Sequence, residues 1–306
     1  MTTTLVVGAT GMTGRCVVEQ LLGRNHDVRV IVRSSHKLSS AVLKNPKTVV
    51  IEAAVLDLTD QEMAEHVKGC DAVVSCLGHV MNFGGMFGQP KQLCTDATRR
   101  LCKAIEENSP TEPTKFILMN TVGVANPDMD EKRTWHERGL LFLLRHFLPP
   151  HRDNETAAEY LQTNIGKDNR YFEWCSVRPD SLVDAEVSSY DVTESPVTGI
   201  FTGRPTTRAN VAHFMIELIE DAELWNTWKF KMPVIMNSAV RDLPEHDRDE
   251  RNLPRDDSRT IHQPSQVETA PASSEASAPV RSGALTRIAP QPARRTETGT
   301  GLLKMS

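Results

Sequence analysis

The feature that most constrains the fold is a glycine-rich turn near the start of the chain. A short apolar run at 5–7 ends at Gly8, and two further glycines follow at steps of three, Gly11 and Gly14. The next residues, 16–22, carry apolar side chains at helical spacing. A buried strand, a glycine turn and a helix in this order are typical of the unit that binds the pyrophosphate of a dinucleotide.

Each glycine has its own role in such a unit. Gly8 allows the sharp turn, Gly11 leaves no side chain between backbone and pyrophosphate, and Gly14 lets the helix pack close to the strand. The helix start offers free N–H groups to the phosphates. An ordinary tight turn is the alternative. The predicted cofactor contacts here are Gly8, Thr10, Gly11, Met12, Thr13 and Gly14.

Beyond the turn, short apolar strands alternate with helices. Strands are predicted at 27–33, 48–52, 71–77, 115–120, 174–179 and 228–237, and helices at 58–68, 91–107 and from Thr206 or Thr207 to Glu220. This alternation predicts a doubly wound α/β fold with a parallel sheet. Ligands of such sheets bind beyond the carboxyl ends of the strands, which directs attention to the residue after each strand.

Composition restricts the partners and the compartment. The 306 residues carry a net charge of −5, so we expect no nucleic-acid partner, and no apolar run reaches membrane-spanning length, so we expect no membrane partner. A strand begins almost at once, which leaves no room for a signal peptide. Six cysteines without CxxC spacing indicate reduced thiols and a cytoplasmic location. A redox or metal role is the alternative reading of the cysteines, and we expect no metal site.

The chain changes character after residue 240. Residues 241–306 contain no Phe, Trp or Tyr and are rich in Pro, Ser, Thr, Arg and Asp. Such a segment cannot bury enough apolar surface to offset the entropy of ordering. We therefore predict a folded domain at 1–240 and a disordered tail at 241–306, for which a peptide-binding or regulatory role stays open.

Arg33, which follows the second predicted strand, bears on the choice of cofactor. Sites that prefer NAD usually carry Asp or Glu here to hold the ribose 2′-hydroxyl, whereas a basic residue suits the 2′-phosphate of NADP. The planar guanidinium can bind that phosphate through two hydrogen bonds. Arg33 therefore favours NADP(H), with a solvated loop residue as the alternative.

The ends of three later strands supply further candidates. Asp57 can accept from the adenine amino group while Leu58 packs on the ring, although Asp57 is equally well read as a helix-start residue. Leu77 and Gly78 would lie beside the adenosine ribose. Thr121 follows the fifth strand, where the nicotinamide should approach.

These residues together are similar to a known family. Gly8-Ala9-Thr10-Gly11-Met12-Thr13-Gly14, Val32-Arg33, Asp57-Leu58 and Val177-Arg178-Pro179 resemble the atypical short-chain dehydrogenase/reductases. Within them, the NmrA-like and biliverdin reductase B (flavin reductase)-like proteins are most similar, over about residues 4–237.

The resemblance implies a fold, a cofactor and several residue roles. The fold is a Rossmann-type doubly wound sheet with a small C-terminal substrate lobe, and the cofactor is NADP(H) with Arg33 on its 2′-phosphate. Thr121 would take the place of the usual catalytic Ser, and Arg178 and Pro179 would border the nicotinamide.

One departure from the larger superfamily concerns proton transfer. The usual Tyr-x-x-x-Lys is missing, because Tyr160, Tyr171 and Tyr190 are followed four residues later by Asn164, Cys175 and Glu194. Three other residues are candidate catalytic groups. Thr121 can donate a hydrogen bond, and His79 and His151 can act as acid or base, or else be ordinary solvated or hydrogen-bonded histidines.

A strongly apolar stretch lies between the fifth strand and the helix that should carry the Tyr. Residues 135–150 include Leu140-Leu141-Phe142-Leu143-Leu144 and end at Pro149-Pro150. The stretch predicts a short helix that is stopped by the prolines. It would serve either as a lid over an apolar or aromatic ligand or as a helix that packs in the core or in a dimer.

Three functions are compatible with these observations. The first is an NADPH-dependent oxidoreductase that passes hydride to a small apolar or aromatic acceptor, such as a ketone, quinone or flavin. The second is an NmrA-like sensor that binds NADP(H) without turnover and signals to a partner protein. A nucleotide-sugar epimerase is disfavoured because it would usually need the Tyr/Lys pair. A small-molecule substrate and a second copy of the chain are the remaining candidate partners.

Overall fold

The computed structural model describes residues 1–79, 88–129, 131, 134–197, 199, 203–239 and 286–289. Its strands form a nine-stranded sheet and a separate two-stranded one. The strands are β1 (Thr3–Val7), β2 (Asp27–Val32), β3 (Thr48–Glu52), β4 (Ala72–Ser75), β5 (Thr114–Met119), β6 (Phe172–Pro179), β7 (Leu182–Val183), β8 (Tyr190–Thr193), β9 (Thr206–Thr207), β10 (Val234–Asn237) and β11 (Thr286–Ile288).

The order of the large sheet is β11-β8-β10-β6-β5-β4-β1-β2-β3. The seven strands β10, β6, β5, β4, β1, β2 and β3 are parallel to one another. β8 runs antiparallel to both of its neighbours, β10 and β11. The chain winds outward from β1 to β3 and then returns to add β4 on the other side of β1. This reversal places the carboxyl ends of β1 and β4 at the switch point where such folds bind their ligands. The predicted doubly wound Rossmann-type fold is confirmed.

Helices cover both faces of the sheet. They are α1 (Met12–Gly23), α2 (Ser40–Lys44), α3 (Asp60–Val67), α4 (Leu93–Asn108), α5 (Trp135–Phe147), α6 (Pro149–Glu159), α7 (Arg208–Glu220) and α8 (Ala222–Trp228), with a π-helical segment at Tyr160–Ile165.

The alternation of side chains along β1 shows how the core divides. Val6 joins the apolar cluster that contains residues of α1, α7 and α8, while Leu5 and Val7 join the cluster that contains residues of α3, α4 and α6. All three are fully buried. A strand covered on both faces needs apolar residues at every position, which explains the continuous apolar runs in the sequence.

The structure corrects two predicted boundaries. The strand expected at 228–237 is only β10, because Ala222–Trp228 is helical and Asp221 caps that helix through hydrogen bonds to the N–H groups of Glu223 and Leu224. The prolines at 149 and 150 do not only stop α5. They also begin α6, because the N–H groups of the first helical turn have no acceptor within the helix and the missing N–H of proline therefore costs no hydrogen bond.

The C-terminal tail contributes one element to the fold. Residues Thr286–Ile288 pair with β8 as an edge strand, inside the segment for which disorder is predicted. The remainder of 241–306, apart from residue 289, lies outside the described residues, as do 80–87. Among the helices in the described ranges, none is long and apolar enough to cross a membrane.

Candidate active site

The glycine turn follows β1 at the switch point and requires glycine at two positions. Gly8 has a φ of +78°, and a Cβ there would lie 2.4 Å from the carbonyl oxygen of Cys76. A Cβ on Gly14 would lie 2.2 Å from the carbonyl oxygen of Gly8. The turn is therefore pressed against the end of β4 on one side and against the start of α1 on the other. A side chain at either position would separate them.

The start of α1 is open to a ligand. Gly11 is the N-cap residue, so no side chain caps the helix, and the first turn contains no acidic residue. The Gly11 N–H donates to the Gly8 carbonyl oxygen at 2.9 Å, which closes the turn. Thr13 is buried and Met12 is exposed. An uncapped N-terminus without a nearby carboxylate fits the phosphates of a dinucleotide.

Arg33 lies next to this turn, directly after β2. Its side chain is exposed and makes no hydrogen bond or ion pair with any residue that the structure describes. The nearby acid Glu52 is engaged elsewhere, because it accepts the backbone N–H of Ser35 at 3.1 Å. Hydrogen bonds from Ser35 lower the pKa of this carboxyl. The guanidinium of Arg33 is thus available to an anionic ligand.

The candidates after β3 and β4 are placed at the same edge. Asp57 is exposed and lies three residues before α3, which begins at Asp60 with Thr59 as its N-cap in a capping box with Glu62. The structure therefore does not support Asp57 as the helix-start residue. Leu58 packs against the core, Leu77 is half-buried and Gly78 is exposed. Their contacts with a cofactor remain predictions.

Thr121 and His151 come together around Gly123, beyond the end of β5. A Cβ atom built on Gly123 would lie 3.3 Å from His151 Cε1, 3.6 Å from His151 Nδ1 and 3.7 Å from Thr121 Oγ1. The Gly123 N–H donates to Thr121 Oγ1 at 3.3 Å. Glycine at 123 leaves room for the imidazole beside the hydroxyl, so two of the three predicted catalytic residues are neighbours.

Asn120 joins these two residues through the backbone. Its Nδ2 donates to the carbonyl oxygen of Asn154 in α6 at 3.0 Å, and its Oδ1 accepts the Thr121 N–H at 2.9 Å. Asn120 thereby ties the end of β5 to the helix that carries His151.

His151 is buried, with 7% of its surface exposed. Its Nε2 has no hydrogen-bond partner among the described residues and lies 3.5 Å from Glu155 Oε1, one helical turn further along α6. Glu155 Oε2 in turn lies 3.4 Å from Arg145 Nε of α5. A line of three ionisable side chains thus runs from the exposed Arg145 to the buried imidazole.

A cavity of about 450 Å³ opens beside this line. Its walls come from the loop after β5, from α5 and from α6, and most of them are apolar. The residues that line it include Gly123, Met129, Leu141, Phe142, Arg145 and Glu155. The cavity has the size and the mixed lining of a small-molecule site.

His79 belongs to a different cluster. Its Nε2 lies 2.8 Å from Asp153 Oδ2, and the same carboxylate accepts the N–H groups of Cys94 at 2.7 Å and Thr95 at 2.9 Å. Asp153 and His151 are two residues apart in α6 and therefore point to different sides of the helix. The structure does not bring His79 to the proposed pair of Thr121 and His151.

The cluster of His79, Cys94 and Asp153 also has the ligand types of a metal site, with the three ligand atoms within 4.8 Å of one another. Burial raises the pKa of the Cys94 thiol well above its usual value. A protonated thiol is a poor ligand, and both oxygens of Asp153 already accept hydrogen bonds. The arrangement fits a buried cap for the start of α4 better than a metal site.

Arg178 does not have the cofactor-binding role that the sequence predicted. Its side chain is fully buried, and Nε donates to the Met232 carbonyl at 2.8 Å. The other two nitrogens bond to the Val124 carbonyl at 2.8 Å, to Glu131 at 2.6 Å and to the Glu194 carbonyl at 3.1 Å. The guanidinium therefore holds three segments together and is not available to a cofactor.

Pro179 acts through its backbone. Its carbonyl oxygen accepts the N–H of Val122 at 3.0 Å, which fixes the loop that carries Thr121. The pair of Arg178 and Pro179 is thus placed next to the site, as the resemblance implies, but it supports the site's loops.

Two residues that line the cavity were not predicted as catalytic or cofactor-binding. The sequence offers Glu155 only as a candidate for pocket polarity, although its i,i+4 spacing to His151 puts both side chains on one face of a helix. Arg145 has no such indication in the sequence, because its approach to Glu155 depends on how α5 packs on α6.

Comparison with known proteins decides the family. A sequence profile described as NAD(P)H-binding matches residues 8–222, which is more than half of the chain. The chain belongs to the NAD(P)H-binding family. The predicted nicotinamide cofactor and the resemblance to an NAD(P)-binding family are confirmed at this level.

Two curated relatives match parts of the chain. A protein named an uncharacterized sugar epimerase from Bacillus subtilis is 27% identical over 133 residues, or 43% of this chain and 56% of that protein. A decarboxylating sterol-4-alpha-carboxylate 3-dehydrogenase from Dictyostelium discoideum is 23% identical over 124 residues, or 40% and 37% of the two chains. The matches thus span between about a third and a little over half of these relatives.

Solved structures share the fold over most of the chain. An oxidoreductase from Lactococcus lactis matches with a TM-score of 0.56 and 17% identity over 77% of this chain and 91% of its own. An NADP complex of a short-chain dehydrogenase/reductase from Veillonella parvula matches with a TM-score of 0.57 and 12% identity over 78% of this chain and 95% of its own. An anaerobilin reductase from Escherichia coli matches with a TM-score of 0.55 and 16% identity over 79% of this chain and 100% of its own.

Proposed function

We propose that this chain is an NADPH-dependent reductase that passes hydride to a small apolar or aromatic acceptor. The observation that carries the proposal is that Thr121 and the buried His151 both lie next to Gly123, which lines a mainly apolar cavity. The bound cofactor would supply the hydride. The chain would supply binding, orientation and a proton.

The residues of the cofactor site divide the binding between them. The open start of α1 holds the pyrophosphate against the glycine turn. Arg33, which is exposed and makes no ion pair in the part of the chain that the structure describes, binds the 2′-phosphate and so selects NADPH over NADH. The NADP complex of the Veillonella parvula relative supports this reading of the fold.

Thr121 and His151 replace the missing Tyr/Lys pair. Thr121 Oγ1 donates a hydrogen bond to an acceptor oxygen, and His151 delivers the proton that reduction of a carbonyl or quinone requires. Glu155 Oε1 lies 3.5 Å from His151 Nε2, one helical turn further along α6. His79 takes no part, because it is bound to Asp153.

The shape of the cavity supports the choice of acceptor. Met129, Leu141 and Phe142 line it, together with the charged residues Glu131, Arg145 and Glu155. Planar, apolar acceptors such as quinones, flavins and aromatic ketones match this lining. The relatives named as reductases favour the same chemistry, and the reduced cysteines favour a cytoplasmic location.

Turnover of NADPH by the full chain tests the proposal. We expect NADPH absorbance to fall on addition of a member of a quinone, flavin and aromatic ketone panel. His151→Gln should lower kcat about 10²- to 10⁴-fold, the usual contribution of a general acid, and should leave NADPH binding unchanged. His66→Gln, a histidine on α3 outside the site, is the matched control.

The second candidate function is an NADP(H) sensor without turnover. The lack of any Tyr-x-x-x-Lys favours it. Tight NADPH binding without oxidation by any acceptor of the panel would support the sensor and reject the reductase. Turnover that survives unchanged in His151→Gln would reject the assigned proton donor alone.

A further inference from the structure

Helix α5 carries an unusual concentration of exposed apolar side chains. Trp135 is 75% exposed, Phe142 61%, Leu143 51% and Phe147 71%. These include every exposed aromatic side chain in the described ranges. Monomeric soluble proteins rarely leave a contiguous apolar patch of this kind uncovered, so the patch marks a surface that another body covers.

The four side chains share one side of the helix. At 3.6 residues per turn they span an arc of about 140°. His136 stacks on Trp135 with ring centroids 3.5 Å apart, and His146 packs on Phe142 at 4.1 Å. The described residues of this arc include no carboxylate. Glu137 lies outside the arc and is buried in the capping box at the helix start.

Cations border the apolar side. Lys91, Arg145, His146 and Arg152 surround a cavity of about 320 Å³ at the C-terminal end of α5. Lys91 and Arg152 are exposed and form no ion pair with any residue in the described part of the chain. Arg145 lies 3.4 Å from Glu155, and the carboxylate of Asp153 in the cavity wall already accepts three hydrogen bonds.

We propose that this surface, the side of α5 with Trp135, Phe142, Leu143 and Phe147 together with Lys91, Arg145 and Arg152, docks on an anionic lipid bilayer. The apolar side chains would enter the interface between headgroups and acyl chains, and the cations would bind headgroup phosphates. Local charge argues for this partner. The chain as a whole has a net charge of −5, yet the exposed apolar side of α5 is bordered by Lys91 and Arg152, which form no ion pair among the described residues.

A second copy of the chain fits the surface less well. In a two-fold dimer the same patch faces itself, so the cations of one copy would approach those of the other. Such like-charge contacts oppose association, whereas an anionic bilayer neutralises them.

This inference departs from the expectation that no membrane is a partner. That expectation rests on the lack of a spanning segment, which a helix lying in the interface does not need. The inference does not rest on the proposed reductase activity.

Vesicle co-sedimentation of the full chain tests it. The vesicles contain phosphatidylcholine and phosphatidylglycerol at about three to one, with phosphatidylcholine alone as the neutral comparison. We expect sedimentation with the anionic vesicles, loss of most of it at high salt and little binding to the neutral ones.

Two double variants separate the contributions. Lys91→Gln with Arg152→Gln should weaken partitioning about thirtyfold, the factor expected for two cations at an anionic surface. Trp135→Ser with Phe147→Ser should weaken it at least tenfold through lost apolar burial. The matched controls are Lys44→Gln with Lys68→Gln and Leu43→Ser with Val49→Ser, which are exposed residues elsewhere. Thermal melting verifies that each variant is folded.

Failure to sediment with anionic vesicles at low salt overturns the proposal. So does equal sedimentation of the α5 variants and their controls. A concentration-dependent dimer that Trp135→Ser with Phe147→Ser dissociates, without vesicle binding, would assign the surface to a second copy instead.

Discussion

Arg33 directly follows β2, Arg178 lies near the end of β6, and both are candidate cofactor residues by sequence. Arg33 is exposed and has no partner among the described residues, whereas Arg178 is fully buried with its donors bonded to protein atoms. The difference lies in what packs beside each residue, because a buried guanidinium must have its donors satisfied.

The first prediction concerns Arg33. Arg33→Ala should weaken NADPH binding about ten- to a hundredfold, because charge-assisted hydrogen bonds to a phosphate contribute roughly 1.5–3 kcal/mol. NADH lacks that phosphate and should bind with nearly the same Kd as before. Titration of both nucleotides by intrinsic fluorescence measures this, with the exposed Arg170→Ala as control. Equal weakening of both nucleotides would contradict the assignment.

At the scale of elements, helix α4 depends on a carboxylate from another helix. Its N-cap residue Gln92 makes no capping hydrogen bond through its side chain, and Asp153 of α6 accepts the first N–H groups instead. Thr95 Oγ1 also donates to the Asp153 carbonyl at 3.0 Å. The start of α4 and the helix that carries His151 are therefore fixed together, which makes the position of His151 depend on α4.

Removal of this carboxylate should destabilise the fold. Asp153→Ala leaves the buried N–H groups of Cys94 and Thr95 without their acceptor, so we expect about 2–4 kcal/mol lower free energy of unfolding. Asp96→Ala removes an exposed acid in the first turn of the same helix and should cost no more than about 0.5 kcal/mol. Urea unfolding of the two variants gives the comparison. A loss as small for Asp153→Ala as for Asp96→Ala would show that the cap is dispensable.

At the scale of the whole molecule, a short segment from the far end of the chain completes the sheet. β11 covers the edge of β8, and the buried Asp191 of β8 accepts hydrogen bonds from Arg287 at 3.0 Å, Arg204 at 3.1 Å and Ser238 at 2.7 Å. Burial alone would raise the pKa of Asp191, but these hydrogen bonds outweigh it and lower the pKa below its usual value.

The stabilisation by Asp191 should depend on pH with a definite sign. A carboxyl whose folded pKa is depressed stabilises the fold above its unfolded value of 3.8, and the effect is lost as the pH falls through the folded value. We expect Asp191→Asn to lower the unfolding free energy by about 1–3 kcal/mol at neutral pH.

The deficit should shrink toward zero in acid, because the wild-type carboxyl is then protonated. Chemical unfolding across the pH range measures it, with the exposed Asp168→Asn as control. A deficit that does not change with pH would mean that packing, and not charge, explains the effect.

Much of the fold could be predicted from the sequence because its rules are local. The strand at 48–52 and the α7 cap at Thr207 were found as predicted, since apolar runs and capping residues act within a few positions. The helix at 222–228 was missed, because Trp225 and Trp228 suit a buried strand and a buried helix equally.

The sequence alone determined the glycine turn, the parallel sheet and the class of cofactor. These follow from the lack of a Cβ and from apolar periodicity, which need no distant partner. Only the tertiary structure decided which residues share the site. It placed Thr121 beside His151, removed His79 and Arg178 from it, and added Glu155 and Arg145, because burial and pairing of charges depend on segments far apart in the chain.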